Sequence, residues 1–284
     1  MIIEELKIKS TKGIELETII SQHNQDYSGT VLAVPAITSC GKRSYYIYKD
    51  TVTPQNNLRL ITFSYRGHGK SSGLFHPNST IDDINAVSEY ARSSSKKNKP
   101  FVVVTSCSSV NPCMRAFENC DYTSMHVING VFSFSNVHSR SKFYMYGVLH
   151  TLGLLSLEKR KEIMKWIFKR FPFKYHDNRY GYLYYNRIDR SQTVKSIMQM
   201  NLLPKKPKRS DNLYIYINEK DELLNTKDLA IMKRYLEFCD KMFPFAEVIY
   251  LKGSHLWETN KESFEVENKR TLRNKIEESI EEHS

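Results

Sequence analysis

Phe101-Val-Val-Val-Thr-Ser-Cys-Ser-Ser109 is a short β-branched run that passes directly into small polar residues with a thiol at their centre. Such a run reads as a buried strand ending in a tight turn. A nucleophile carried on a sharp strand-to-helix turn needs small residues two places before and two places after it, because the chain folds back on itself there. Centring the turn on Cys107 puts Thr105 and Ser109 at the crowded places, whereas Ser106 would put Val104 there and Ser108 would put Val110 there. Spacing therefore selects Cys107, with Ser106 as second choice. The competing reading is a buried structural cysteine behind a strand.

Three further segments repeat the strand-then-loop design. Val31-Leu-Ala-Val-Pro-Ala-Ile-Thr38 is an apolar strand ending in a loop, and Leu58-Arg-Leu-Ile-Thr-Phe-Ser-Tyr-Arg-Gly-His-Gly-Lys-Ser-Ser-Gly73 is a strand followed by a Gly-rich turn. Downstream, Asn212 to Leu224 ends in a loop rich in acids, and Ala246-Glu-Val-Ile-Tyr-Leu-Lys-Gly-Ser-His255 ends in histidine. The segment after Leu58 resembles the D-x-R-G-H-G-x-S-x-G stretch of α/β-hydrolases, and the chain order of nucleophile, acid and histidine is also theirs. The resemblance extends over most of the chain outside a central insertion. It departs at the elbow, where both glycines of G-x-S-x-G are absent and Thr105 is bulkier than the turn prefers.

That resemblance implies a mostly parallel sheet with helices on both faces and an inserted helical cap. It implies Cys107 as nucleophile, His255 as general base and then acid, and Asp221 as the group that orients the imidazole. Glu219 and Glu222 stay open as the acid. The oxyanion hole falls to the backbone N–H groups of Ser108 and Ile37, since Pro35 has none to offer. His68 is assigned to turn and loop packing. Neither a metal nor a cofactor is called for.

The chain has 284 residues, enough for one large domain or a core with an inserted subdomain, and 40% hydrophobic residues suffice for its core. No apolar run approaches the ~20 residues that span a bilayer. The acidic start Met1-Ile-Ile-Glu-Glu is read as a strand rather than a secretory signal, and five cysteines without metal-like pairing suggest a reduced, cytoplasmic protein. Cys113 and Cys120, seven apart, are expected to pack on the helix after the elbow.

Alternation predicts a strand pair over residues 1 to about 28 with a turn at Lys12-Gly13. Ile81, Ile84, Val87 and Ala91 predict a helix capped by Ser79 or Thr80. Met125 to Phe134 is a predicted strand, and Leu229 to Phe243 and Glu258 to the end are predicted helices. The core is thus expected over 1–136 and 211–284, with a cap over 137–210.

The cap holds 17 Lys and Arg against four acids, a balance of +13 in a chain of net charge +11, so the remainder carries −2. A basic lid attracts polyanions and speeds encounter with them. An acyl carrier protein or a coenzyme A thioester suits it, with Lys159, Arg160, Lys161, Lys165, Lys169 and Arg170 as the docking residues. Nucleic acid is the less economical partner beside a hydrolytic triad, although Tyr180, Tyr182, Tyr184 and Tyr185 lie among the basic residues.

A cysteine nucleophile suits thioester processing, because exchange of one thioester for another is nearly balanced. Gly253-Ser-His255 and Thr105-Ser-Cys-Ser-Ser109 are also similar to the acyl carrier protein thioesterases of bacterial luminescence, whose elbow likewise lacks the glycines. The expectation is therefore a thioesterase or acyltransferase, with the acyl acceptor open. A carboxylester hydrolase is the alternative within the class, and a catalytically silent binding protein of the same fold is the alternative outside it. Reversing several of the six cap charges should slow turnover of carrier-bound acyl groups far more than that of small activated esters; equal slowing of both would remove the docking role.

Overall fold

The structure, a computed structural model, describes residues 2–37, 39–52, 57–76, 78–95, 99–118, 120–132, 212–221, 224, 226–254 and 262–282. The expected cap over 137–210, with its six docking residues, lies outside the described residues, as do His255 and Glu222.

Among the described residues eight strands form one sheet in the order β1-β2-β4-β3-β5-β6-β7-β8. They are β1 (Ile2–Lys9), β2 (Glu15–Gln22), β3 (Gly29–Val34), β4 (Leu58–Phe63), β5 (Phe101–Ser106), β6 (Ser124–Ile128), β7 (Leu213–Lys220) and β8 (Glu247–Ser254). β2 pairs antiparallel with β1 and β4, and every later pairing is parallel. β3, β4 and β6 are buried along their whole length, as parallel strands covered on both faces must be.

Side-chain alternation divides the core in two. Leu32, Val34 and Val103 face α2 (Ser79–Ser93), α3 (Val110–Ala116) and α4 (Leu229–Met242), where Ile84, Val87, Cys113, Met114 and Tyr235 are buried. Val31, Ala33, Val102 and Val104 face α1 (Gly41–Val52) and α5 (Glu262–Glu281), through Tyr45, Tyr48, Val52, Leu272, Ile276 and Ile280. No helix among the described residues is long and apolar enough to cross a membrane.

Several boundaries differ from the sequence expectations. α1 is an element the apolar pattern does not announce, because Tyr45, Tyr48 and Val52 supply its buried stripe. Its first residue lies so close to the backbone of Phe63 that only glycine fits. Ser79 does not cap α2; it is the first helical residue, and its hydroxyl donates to His76 O at 2.6 Å. β6 stops at Ile128, because Asn129 turns the chain with φ of +47°. α3 ends at Ala116, so Cys120 lies beyond it, and Arg92 reaches the Cys120 sulfur at 3.5 Å.

Beneath α5 a buried histidine is fixed as the neutral ring. His126 Nε2 lies 3.0 Å from Ser124 Oγ, which in turn donates to Ser279 Oγ at 2.8 Å, while Nδ1 lies 2.8 Å from the Tyr216 hydroxyl. A chain of hydroxyls satisfies one ring N–H and one ring lone pair, which is the neutral inventory. Burial, assisted by the nearby Lys275 charge, pushes His126 down from 6.5 to about 3. The unfolded chain thus binds the extra proton first, so this contribution is full above 6.5 and is lost as pH falls toward 3. Urea unfolding between pH 7 and pH 4 should show a shallower loss of stability for His126→Gln than for wild type; parallel curves would contradict the assignment.

Candidate active site

β3 and β5 are adjacent, and Val34 pairs with Thr105. The residues that follow, Pro35-Ala36-Ile37 and Cys107-Ser108, therefore leave the same edge of the sheet side by side. Ser106 is still extended, with φ of −145° and ψ of 155°. Cys107 then takes φ of +53°, opens a 3₁₀ turn over Cys107–Ser109, and leads into α3. The left-handed region costs a side-chain-bearing residue roughly 1–2 kcal/mol, and this is the strained strand-to-helix geometry that exposes a nucleophile. Thr105 and Ser109 are fully buried at the crowded places, and Cys107 is partly exposed. Ser106, the second choice, remains within β5, where its hydroxyl is hydrogen-bonded to Tyr48.

The turn is clamped to the loop after β3. Pro35 O accepts from Ser109 Oγ at 2.5 Å and from the Tyr65 hydroxyl at 2.9 Å. Ile37 O faces His68 Nε2 at 3.0 Å, and His68 Nδ1 faces Arg66 O at 3.2 Å. Burial lowers the His68 pKa against the pull of these two carbonyls, and the neutral ring donates to one of them at a time. His68 also packs edge-on against Phe75. It thus joins the Gly-rich turn to the residue whose N–H is the candidate oxyanion donor.

That turn is itself anchored. The Arg66 guanidinium forks onto Asp83 of α2 at 2.7 to 3.2 Å, and the Arg66 N–H donates to the same carboxylate at 2.9 Å. Gly69 has φ of +50° and sits where a side chain would collide with Glu17, whose carboxylate accepts from Ser64 Oγ at 2.8 Å and Lys70 N at 3.1 Å.

Two strands away from β5, Asp221 follows β7 and is itself buried. Its Oδ1 accepts from Leu224 N at 2.8 Å, and its own N–H is held by Thr226 Oγ1 at 2.9 Å. Glu219 is exposed on β7, so Asp221 is the buried carboxylate of this segment among the described residues. β8 ends at Ser254, immediately before His255 in the chain. The structure therefore brings Ile37, Cys107, Ser108 and Asp221 to one edge of the sheet. Among the described residues no three His, Cys, Asp or Glu converge to hold a metal.

Sequence reasoning passed over two groups at this edge. Tyr65, noted only as the neighbour of Arg66, supplies half of the Pro35 clamp. Asn129 and Asn218 form a buried side-chain pair between β6 and β7, which short-range spacing does not reveal.

The chain resembles solved esterases in three dimensions. An esterase of Pyrococcus furiosus superposes with a TM-score of 0.60 at 13% identity, covering 98% of this chain and 93% of the other. An esterase of Thermogutta terrifontis gives 0.67 at 11% identity over 98% and 99%. A carboxyl esterase of Bacillus coagulans gives 0.67 at 12% identity over 99% of each chain. The bottromycin epimerase BotH also superposes, with a TM-score of 0.64 at 8% identity over 95% and 98%. No protein-family model and no curated protein sequence matches the chain. With the observed strand order, these likenesses establish the α/β-hydrolase fold.

Burial pushes the thiols of Cys113 and Cys239 up to about 12, so neither supplies thiolate near neutral pH. Brief treatment of the folded protein with iodoacetamide at pH 8, read by peptide mass spectrometry, should modify Cys107 and leave Cys113 and Cys239 intact. Equal labelling of Cys113 would contradict the geometry.

Proposed function

We propose that the protein is an ester hydrolase that works through a covalent acyl-enzyme on Cys107. The observation that carries this reading is the left-handed Cys107 at the β5–α3 junction, set beside the loop of Ile37. Its triad is Cys107, His255 and Asp221. The imidazole of His255 takes the thiol proton, and the sulfur attacks the acyl carbon. Negative charge gathers on the carbonyl oxygen, toward which the N–H groups of Ile37 and Ser108 donate. The tetrahedral adduct collapses, the alcohol leaves with the proton from the imidazolium, and the acyl group stays on sulfur as a thioester. Water then attacks that thioester as His255 again accepts a proton, and the carboxylic acid and free thiol are released. Asp221 orients the imidazole and stabilises its charged form.

Esters are the first substrate class because the similar structures of this fold include esterases. A second reading, acyl-thioester processing with a carrier protein or coenzyme A as leaving group, is favoured by the sulfur nucleophile, since thioester exchange is nearly balanced. The basic segment 137–210 is then the docking surface. The fold alone does not dictate hydrolysis, as the epimerase shows.

Steady-state turnover of p-nitrophenyl acetate and of short acyl-coenzyme A substrates decides among these readings. Cys107→Ala and His255→Ala should each lose about 10³-fold or more in kcat/KM, with Asp221→Asn strongly impaired. A higher kcat/KM on thioesters than on esters of the same acyl group would select the second reading. Turnover unchanged in Cys107→Ala would refute the proposed nucleophile, and no turnover of either class by wild type would indicate a silent binding fold.

A further inference from the structure

β6 and β7 last pair at Ile128 and Tyr216, but β7 continues to Lys220. Asn218 therefore lies past the backbone partners that β6 can offer. Its N–H is nevertheless satisfied: Asn129 Oδ1 accepts it at 2.9 Å, while Asn129 Nδ2 donates to Asn218 Oδ1 at 2.7 Å. On the far side, Asn218 Nδ2 donates to Lys252 O of β8 at 3.1 Å. Two side-chain amides thus extend the sheet across three strands after one strand has turned away. Asn129 is 1% exposed and Asn218 fully buried, so the two hydrogen bonds between them are made away from water.

Asparagine meets two demands at position 129. It tolerates the left-handed φ of +47°, and its amide reaches the neighbouring strand. The turn it makes carries the chain back toward the elbow, where Val131 N donates to Cys107 O at 3.1 Å. Tyr235 of α4 steadies the same turn by donating to Gly130 O at 2.9 Å. On β7, Asn218 O accepts from Asp221 N at 3.1 Å. On β8, Lys252 O also accepts from the buried Asn268 of α5 at 2.7 Å, three residues ahead of His255 in the chain.

We propose that Asn129 and Asn218 are positioning residues, a clasp that holds the Asp221 loop and the end of β8 in register with the Cys107 turn. The inference rests on the Cys107–His255–Asp221 reading above. Through the 129–131 backbone and the hydrogen bonds of Asn218, the clasp connects the carbonyl of the nucleophile, the N–H of the acid and the strand preceding the histidine. A merely structural pair would support folding alone. A positioning pair also sets how well the carboxylate serves the imidazole, and through it the thiolate.

Asn129→Gly keeps the left-handed turn accessible while deleting the amide, and Asn218→Ala deletes the other half. In variants that melt cooperatively, kcat on p-nitrophenyl acetate should fall about 10- to 100-fold, with KM within about threefold of wild type. The pH midpoint of Cys107 alkylation by iodoacetamide should move upward, because an imidazole less firmly held by Asp221 stabilises the thiolate less. The double variant should be no slower than the slower single variant, as expected of one coupled unit. An unchanged kcat and alkylation midpoint in the folded single variants would overturn the proposal, and so would additive losses with an unmoved midpoint. If Asn129→Gly does not fold, Asn129→Asp, which retains the acceptor for Asn218 N–H, replaces it with the same readouts. Cys107→Ala on the same substrate separates the two claims: full activity there sinks the triad, whereas unaltered clasp variants of a Cys107-dependent enzyme sink the clasp alone.

Discussion

The left-handed backbone at Cys107 is the constraint on which the arrangement turns. A cysteine does not settle there unaided, and the surrounding residues supply what it lacks. Thr105 and Ser109 are small enough to be buried against the turn, and Val131 caps the Cys107 carbonyl. Ser109 also spends its hydroxyl on Pro35 O, so the group that makes room for the turn fastens the neighbouring loop to it. Strain at Cys107 and order in the loop after β3 are therefore parts of one packing solution.

The same logic runs outward on both sides. Toward β4, Tyr65 and His68 grip the carbonyls of Pro35 and Ile37, and the Arg66–Asp83 fork and the Gly69–Glu17 contact hold the grip in place. Toward β7, the amides of Asn129 and Asn218 take over where the backbone ladder stops. The sheet thus delivers its strands level, and buried polar side chains finish the alignment at the edge. Such networks are costly to leave half made.

Much of this was legible in the chain. The spacing of small residues around Cys107 decided between three adjacent nucleophile candidates, and the left-handed φ falls on the one selected. The strands were legible because buried parallel strands are continuous β-branched runs. α1 was not, since tyrosines form its buried stripe and a tyrosine counts weakly as apolar. The early end of β6 was hidden too, because Asn129 stops the strand by backbone conformation while the sequence continues apolar through Val131 and Phe132. The asparagine clasp joins residues 89 positions apart, a separation at which no local pattern carries information. The acids of residues 219 to 222 looked equivalent by spacing; burial distinguishes Asp221 from exposed Glu219.

The most direct test of the account is intact-protein mass spectrometry during turnover of a p-nitrophenyl ester or a short acyl thioester, with His255→Ala used to trap the intermediate and proteolysis to locate it. The account predicts an acyl increment on the peptide containing Cys107, absent from Cys107→Ala. An increment on Ser106 or Ser108, or turnover that persists undiminished in Cys107→Ala, would contradict it.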